Sequence, residues 1–119
     1  MRPERIIYSL LSSIERYIDD ETSVRVYPVV LPARVDIPAL AFRLRDIVNT
    51  DSFENKGSGV GRRWEIFAYD SVWDGVIDAE KDILKALKSR ISRVESVVDD
   101  STNIGEQTIY IRIITVFMI

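Results

Sequence analysis

The sequence predicts an α+β domain: a mostly antiparallel sheet with two helices packed on one face and a long protruding β-hairpin loop. Three observations carry this. Two stretches repeat apolar residues at three- and four-residue steps, the period of a half-buried helix. Several others alternate apolar and polar residues with period two, as half-buried strands do. Along the chain the order runs helix, strand, two strands joined by a long loop, helix, two strands, which suits one sheet with its helices on one side. A length of 119 residues makes this one domain, 1–119.

The first helix is expected from Pro3 to about Ile18, with Ile6, Ile7, Leu10, Leu11, Ile14 and Ile18 as its stripe. Pro3 suits a first helical turn, where a missing N–H is no loss. Asp19, Asp20 and Glu21 oppose the helix dipole at the far end and stop it there. Ser23 to Leu31 is a short strand and connector. Pro28, Pro32 and Pro38 punctuate this region, which makes it an edge or a crossing segment. From Pro38 to Val48 the chain alternates, with Leu40, Phe42 and Leu44 on one face and Arg43 and Arg45 on the other. A second strand, Arg62 to Tyr69, turns Trp64, Ile66 and Ala68 to one face and Arg63, Glu65, Phe67 and Tyr69 to the other.

Between them lies a polar connection, residues 49–61, with Asp51, Glu54, Lys56 and three glycines, and Phe53 as its one large apolar side chain. Hairpin loops usually run about 2–5 residues, so a loop this long without structure of its own reads as a flexible arm that meets a partner.

Ser71 to Ile91 is the second helix, N-capped by Ser71 with Asp74 completing the cap. Trp73, Val76, Ile77, Ile83, Leu84, Leu87 and Ile91 form its core stripe. Acidic residues fill its first half and basic ones its second, in line with the dipole. Asp78 with Lys81 and Asp82 with Lys85 are expected surface pairs. Val94 to Val98 is a short strand, and Asp99 to Gly105 a turn-rich connection. Thr108 to Met118 is a long strand, apolar on both faces, which places it centrally with cover on each side. Once two helices cover one face, Tyr110, Ile114, Val116 and Met118 on the other are left for a protein partner, or for the arm hairpin curling back over them.

Composition excludes a good deal. A hydrophobic content of 46% supports a core, and a net charge of −3 gives no argument for nucleic acid. With no cysteine and no histidine the chain has no disulfide frame, no thiolate zinc site and none of the commonest general base. The run Ile109 to Ile119 is too short to cross a membrane and carries Arg112. Gly57, Gly59 and Gly61 beside Lys56 invite a phosphate-loop reading, but they open a strand where such a loop opens a helix. The paired acids, Asp19 with Asp20, Asp99 with Asp100 and Asp74 with Asp78, fall in turns or on a solvated helix face. No catalytic, cofactor or metal site is therefore expected, and no enzyme.

The residues that do call for a partner surround the arm. Arg43, Arg45, Arg62 and Arg63 flank its roots, where like charges facing each other repel. Either Asp46 and Glu65 meet them or a partner does. With Asp51, Phe53, Glu54 and Lys56 of the arm, and Tyr110 and Arg112 of the last strand, they make the candidate interface.

Val26-Tyr-Pro-Val-Val-Leu-Pro32, followed by Asp36-Ile-Pro-Ala-Leu-Ala-Phe42, resembles the proline-punctuated signature of siphophage tail-completion, or tail-terminator, proteins. A leading helix, a polar loop, the arginine-led strand from Arg62, the alanine-bearing helix Asp78 to Leu87 and a final strand follow that family's order over nearly the whole chain. The resemblance implies a homo-oligomeric ring, typically of six subunits, in the virion at the head-proximal end of the tail, made in the host cytoplasm. Such a ring binds the tail tube protein, stops tube growth and offers a surface to the head's connector. A head–tail joining protein of the same region, or a small α+β ligand-binding module, are the alternatives.

Overall fold

A computed structural model describes residues 2–49 and 60–119. The expected class is found, with one refinement of topology. Helix α1 (Pro3–Leu11) leads through a 3₁₀ turn (Glu15–Tyr17) into a two-stranded ribbon, β1 (Ile18–Asp20) and β2 (Ser23–Val24). Strands β3 (Val26–Pro28), β4 (Ala39–Asn49), β5 (Val60–Asp70), β6 (Ile91–Ile104) and β7 (Gln107–Met118) form one sheet in the order β3-β4-β5-β7-β6. Helix α2 (Trp73–Ala86) joins β5 to β6. Among the described residues only β3 and β4 run parallel; the other pairs are antiparallel.

The first helix stops seven residues before the expected end. At its terminus the Ser12 N–H donates to the Tyr8 carbonyl, and the Ser13 hydroxyl bonds the Leu10 carbonyl at 2.6 Å, so local serine contacts replace the next turn. Ile14 and Tyr17 still reach the core because the 3₁₀ turn re-aims them, whereas Ile18 is left exposed in β1.

Val72, not Ser71, caps α2, and no side chain bonds the cap. Asp70 takes over instead. Its Oδ1 accepts from the Val72 N–H at 3.1 Å, and a carboxylate there suits the positive end of the dipole. This explains Gly75, for which the sequence offers no reason: a Cβ at that position would lie 2.0 Å from the Asp70 Oδ2. The carbonyl of Gly75 also accepts from Arg16 at 3.1 Å. Asp78 and Asp82 lie 3.9 and 3.5 Å from the same guanidinium, while Lys81 and Lys85 make no ion pair among the described residues.

Both helices pack on one face of the sheet. Ile7 and Leu11 of α1, Val76 and Ile83 of α2 and Leu87 at its C-cap are fully buried, against Leu40 and Phe42 of β4 and Trp64 and Ile66 of β5. The register Trp64↔Val116 and Ile66↔Ile114 brings β7 into this core through Ile114, Val116 and Met118. Those three are therefore covered by the helices, contrary to the expectation that they face a partner.

Strand β6 is the larger correction. It runs 14 residues, and Asp99 to Ile104, expected as a turn, are strand. A two-residue connection at Gly105 and Glu106 closes the hairpin, with Gly105 at φ 64, as a primed turn needs.

Gly61 has a tight neighbour. A Cβ there would fall 2.0 Å from the tip of the Phe117 ring, which is itself buried. Gly61→Ala is expected to lower stability by about 1–3 kcal/mol through overpacking, read as a lower denaturation midpoint with an unchanged slope.

Candidate assembly surface

The face of the sheet away from the helices carries an ordered ladder of charge. Arg43 on β4 is opposite Glu65 on β5 and bonds it at 2.8 Å, with its guanidinium 5.2 Å from the Phe67 ring centre. One row further on, Arg63 bridges Asp46 at 2.8 Å and Glu95 at 2.5 Å, and Glu95 in turn meets Arg93 at 3.2 Å. This four-membered run spans β4, β5 and β6, passing over β7 between them. Arg93 lies 4.4 Å over the ring of Phe117. Phe117 and Thr115 are thus buried beneath long charged side chains whose stems lie on apolar surface.

Two β-bulges build the ladder. The register slips between Leu44 and Asp46 in β4 and between Val94 and Ser96 in β6, re-aiming Asp46 and Glu95 toward Arg63. Of the two ways to resolve arginine crowding at the arm's roots, the acids within the chain are the one realised for Arg43 and Arg63. Desolvation pushes the Glu95 carboxyl up, but hydrogen bonds from Arg63 and Arg93 outweigh it and hold the group below its usual range. Asp20 is also held low, chiefly by the backbone N–H of Thr22. Both shifts keep the acid charged, the opposite of what a general acid needs.

Arg45 sits in the β4 bulge, exposed, and Arg62 is half-buried opposite Ile47 and Met118. Neither makes an ion pair among the described residues. Asp51, Phe53, Glu54 and Lys56 lie outside the described residues.

Tyr110 and Arg112 belong to the helix-side face, at the other end of β7. Arg112 makes a fork to Asp99 at 2.6 and 2.9 Å and reaches Glu80 of α2 at 3.2 Å. Its guanidinium lies 5.3 Å from the Trp73 ring centre, and Tyr110 meets Trp73 edge-on at 5.8 Å. Trp73 is 41% exposed, so it is not the core residue its place in the helical stripe suggests. Hydrogen bonding to Asp99 pushes the arginine's pKa up against the pull of desolvation, so it stays charged at every working pH. The structure thus places Arg43 and Arg63 on the face away from the helices, and Arg62, Tyr110 and Arg112 on the helix-side face, Arg62 at the opposite end of the sheet from the other two.

Sequence reasoning missed the edge itself. Strand β6 is the last strand of the sheet, and every residue after Ile91 is exposed. At about 3.3 Å per residue it presents some 45 Å of backbone paired on one side only. Val94, Val97, Val98 and Ile104 stand exposed along it. The opposite edge, β3, has three residues and ends at Pro28, which has no N–H to offer. The signal was Gly105-Glu106, a two-residue hairpin turn, leading into the β-branched run Thr108 to Val116.

Among the described residues these features define a class, an α+β fold whose five-stranded sheet has one long open edge and one short edge. No protein-family model matches the chain, and no curated protein matches it. Among solved structures, one titled "Virion of native gene transfer agent (GTA) particle" is similar over 99% of this chain and 87% of that one, at 12% identity and a TM-score of 0.40.

Proposed function

We propose that the chain is a structural, non-catalytic subunit of a phage-like tail: a tail terminator that closes into a ring on the head-proximal end of the tail tube. In this reading the ring stops tube polymerisation and presents the surface to which the head's connector attaches. Its partners are further copies of itself, the tail tube protein and the head-completion protein, and its place is the virion.

One observation carries the assembly half of this reading, the bare 14-residue edge of β6. An exposed, long edge invites pairing with another chain, and monomers normally blunt such edges. Here β3 is short, while β6, past its bulges, runs in regular register from Ser96 to Ile104. A sheet with unlike edges joins head to tail, the heterologous geometry that closes into rings. The tail-specific half rests on the resemblance of the Val26 to Phe42 segment and of the element order to tail-terminator proteins.

The test is electron microscopy of the purified protein, alone and mixed with tail tubes. Rings about as wide as a tube, or caps at one tube end only, are expected. Tubes that keep growing with undecorated ends in a molar excess of the protein would remove the terminator reading.

A further inference from the structure

A cleft opens beside the hairpin half of β6. Trp73, Asp99, Asp100, Ser101 and Tyr110 line it, and its volume is about 330 Å³. The pairs Asp99↔Arg112 and Ser101↔Tyr110 set Asp99 and Ser101 on the helix side of the edge strand, where Trp73 stands exposed. The charge here has one sign. Glu80, Asp99 and Asp100 stand against a single cation, Arg112, and Arg112 is taken up by Asp99 and Glu80. Asp100 meets no cation among the described residues, and its Oδ1 accepts from the Ser101 N–H at 2.8 Å. Arg112 also shows how the cleft holds a guanidinium: it lies 5.3 Å from the Trp73 ring centre while its fork grips Asp99. An aromatic ring and a carboxylate together favour a cation from both sides.

The backbone next to the cleft is open as well. From Ser96 to Ile104 β6 keeps regular register with β7 and has no strand on its other side among the described residues. The edges of a second copy do not suit this stretch. β3 has three residues, none of them basic. A second β6 would bring its own Asp99 and Asp100 alongside the first pair, and like charges across strands repel. Charge complementarity therefore asks for a basic strand from another protein.

We propose that residues 99–104 of β6 pair with an extended segment of a different protein, and that the cleft between Trp73, Tyr110, Asp99 and Asp100 receives an arginine or lysine side chain of that segment. Main-chain pairing supplies the affinity and the cleft selects the side chain. The contact goes beyond the one that closes the ring. A joint through β3 uses at most the length of its three residues, so the hairpin half of β6 stays free for this second partner.

Titration with a synthetic strand tests it: a peptide of alternating threonine and valine, about nine residues long, with one central arginine. Trp73 is the reporter, because Trp64 is buried. Its emission should shift to the blue and saturate, and amide exchange should slow along residues 99–104. Glutamate in place of the central arginine should weaken binding about tenfold or more, and N-methylation of the peptide backbone should abolish it. Asp100→Asn should bind the arginine peptide about fivefold more weakly, the effect of one surface ion pair, with melting temperature unchanged. Equal binding of the arginine and glutamate peptides, full binding of the methylated one, or no binding at all would each overturn the proposal. So would an Asp100→Asn variant that self-associates more strongly yet binds the peptide as before, since the acids would then only keep two β6 edges apart. Ring formation and tube capping are scored separately. Rings that cap tubes without peptide binding keep the terminator and reject the cleft, and peptide binding by a protein that never caps does the reverse.

Discussion

Ile114→Ala is expected to lower the unfolding free energy by about 3–4 kcal/mol, the cost of emptying a filled aliphatic site. For a domain of this size that is a fall in melting temperature on the order of 10–20 °C. Ile114 is fully buried opposite Ile66, under both helices, so nothing nearby is free to fill the space. Its neighbour Ile113 points to the other face, is half-buried and lies between Phe67 and Val98. Ile113→Ala should cost only about 1 kcal/mol, in keeping with partial burial. Chemical denaturation of the two variants decides which face of β7 is core. Equal losses, or a larger loss at Ile113, would show that the helices cover the opposite side.

That face is where the sequence reading was overturned, since it turned Ile114, Val116 and Met118 away from the helices, and the reason is physical. β7 is apolar on both sides, so its alternation carries no sign, and one step of register exchanges the two faces. The sign comes from β5, where Trp64, Ile66 and Ala68 alternate cleanly with Arg63, Glu65 and Phe67, and from the pairing of β5 with β7. Where a strand had one polar face, as in β4 and β5, its orientation was legible. The second cover over β7 was not, because it consists of side chains: Arg63, Glu95 and Arg93 lie over Thr115 and Phe117.

The far half of β6 was misread for a related reason. Asp99, Asp100, Ser101 and Asn103 favour turns when judged alone. Across the hairpin each meets a partner that outweighs that preference: Asp99 faces Arg112, Ser101 faces Tyr110, and the Asn103 Oδ1 accepts from the Thr108 hydroxyl at 3.0 Å. Strand preference is set by cross-strand neighbours more than by the residue itself. The candidate interface divides in the same way. The arm-root arginines stand out because their charges cluster in sequence, and Arg43 and Arg63 meet acids of the chain itself, while the β6 edge was hidden by residues that read as a turn.

The second large effect is expected at Arg112. This side chain is 12% exposed and ties three elements together: β7 itself, Asp99 of β6 and Glu80 of α2. Arg112→Ala removes a two-bonded fork and leaves two partly buried carboxylates with no cation between them. Hydrogen bonds to charged groups contribute about 1.5–3 kcal/mol each. Glu80 and Asp99 keep some contact with water, which offsets part of the loss, so about 2–3 kcal/mol is expected in all. Arg112→Lys should recover less than half, since an ammonium cannot reproduce the planar fork or lie over Trp73 in the same way. The decisive measurement is a double-mutant cycle between Arg112→Ala and Asp99→Ala. If the tie anchors the hairpin, the two losses overlap and the coupling exceeds about 1 kcal/mol. Amide exchange should then quicken along Asp99 to Ile104 in either variant while β4 and β5 stay protected. Additive losses with no change in exchange would mean that the hairpin is held by its backbone pairing alone, and that the long edge of β6 keeps its form without help from α2.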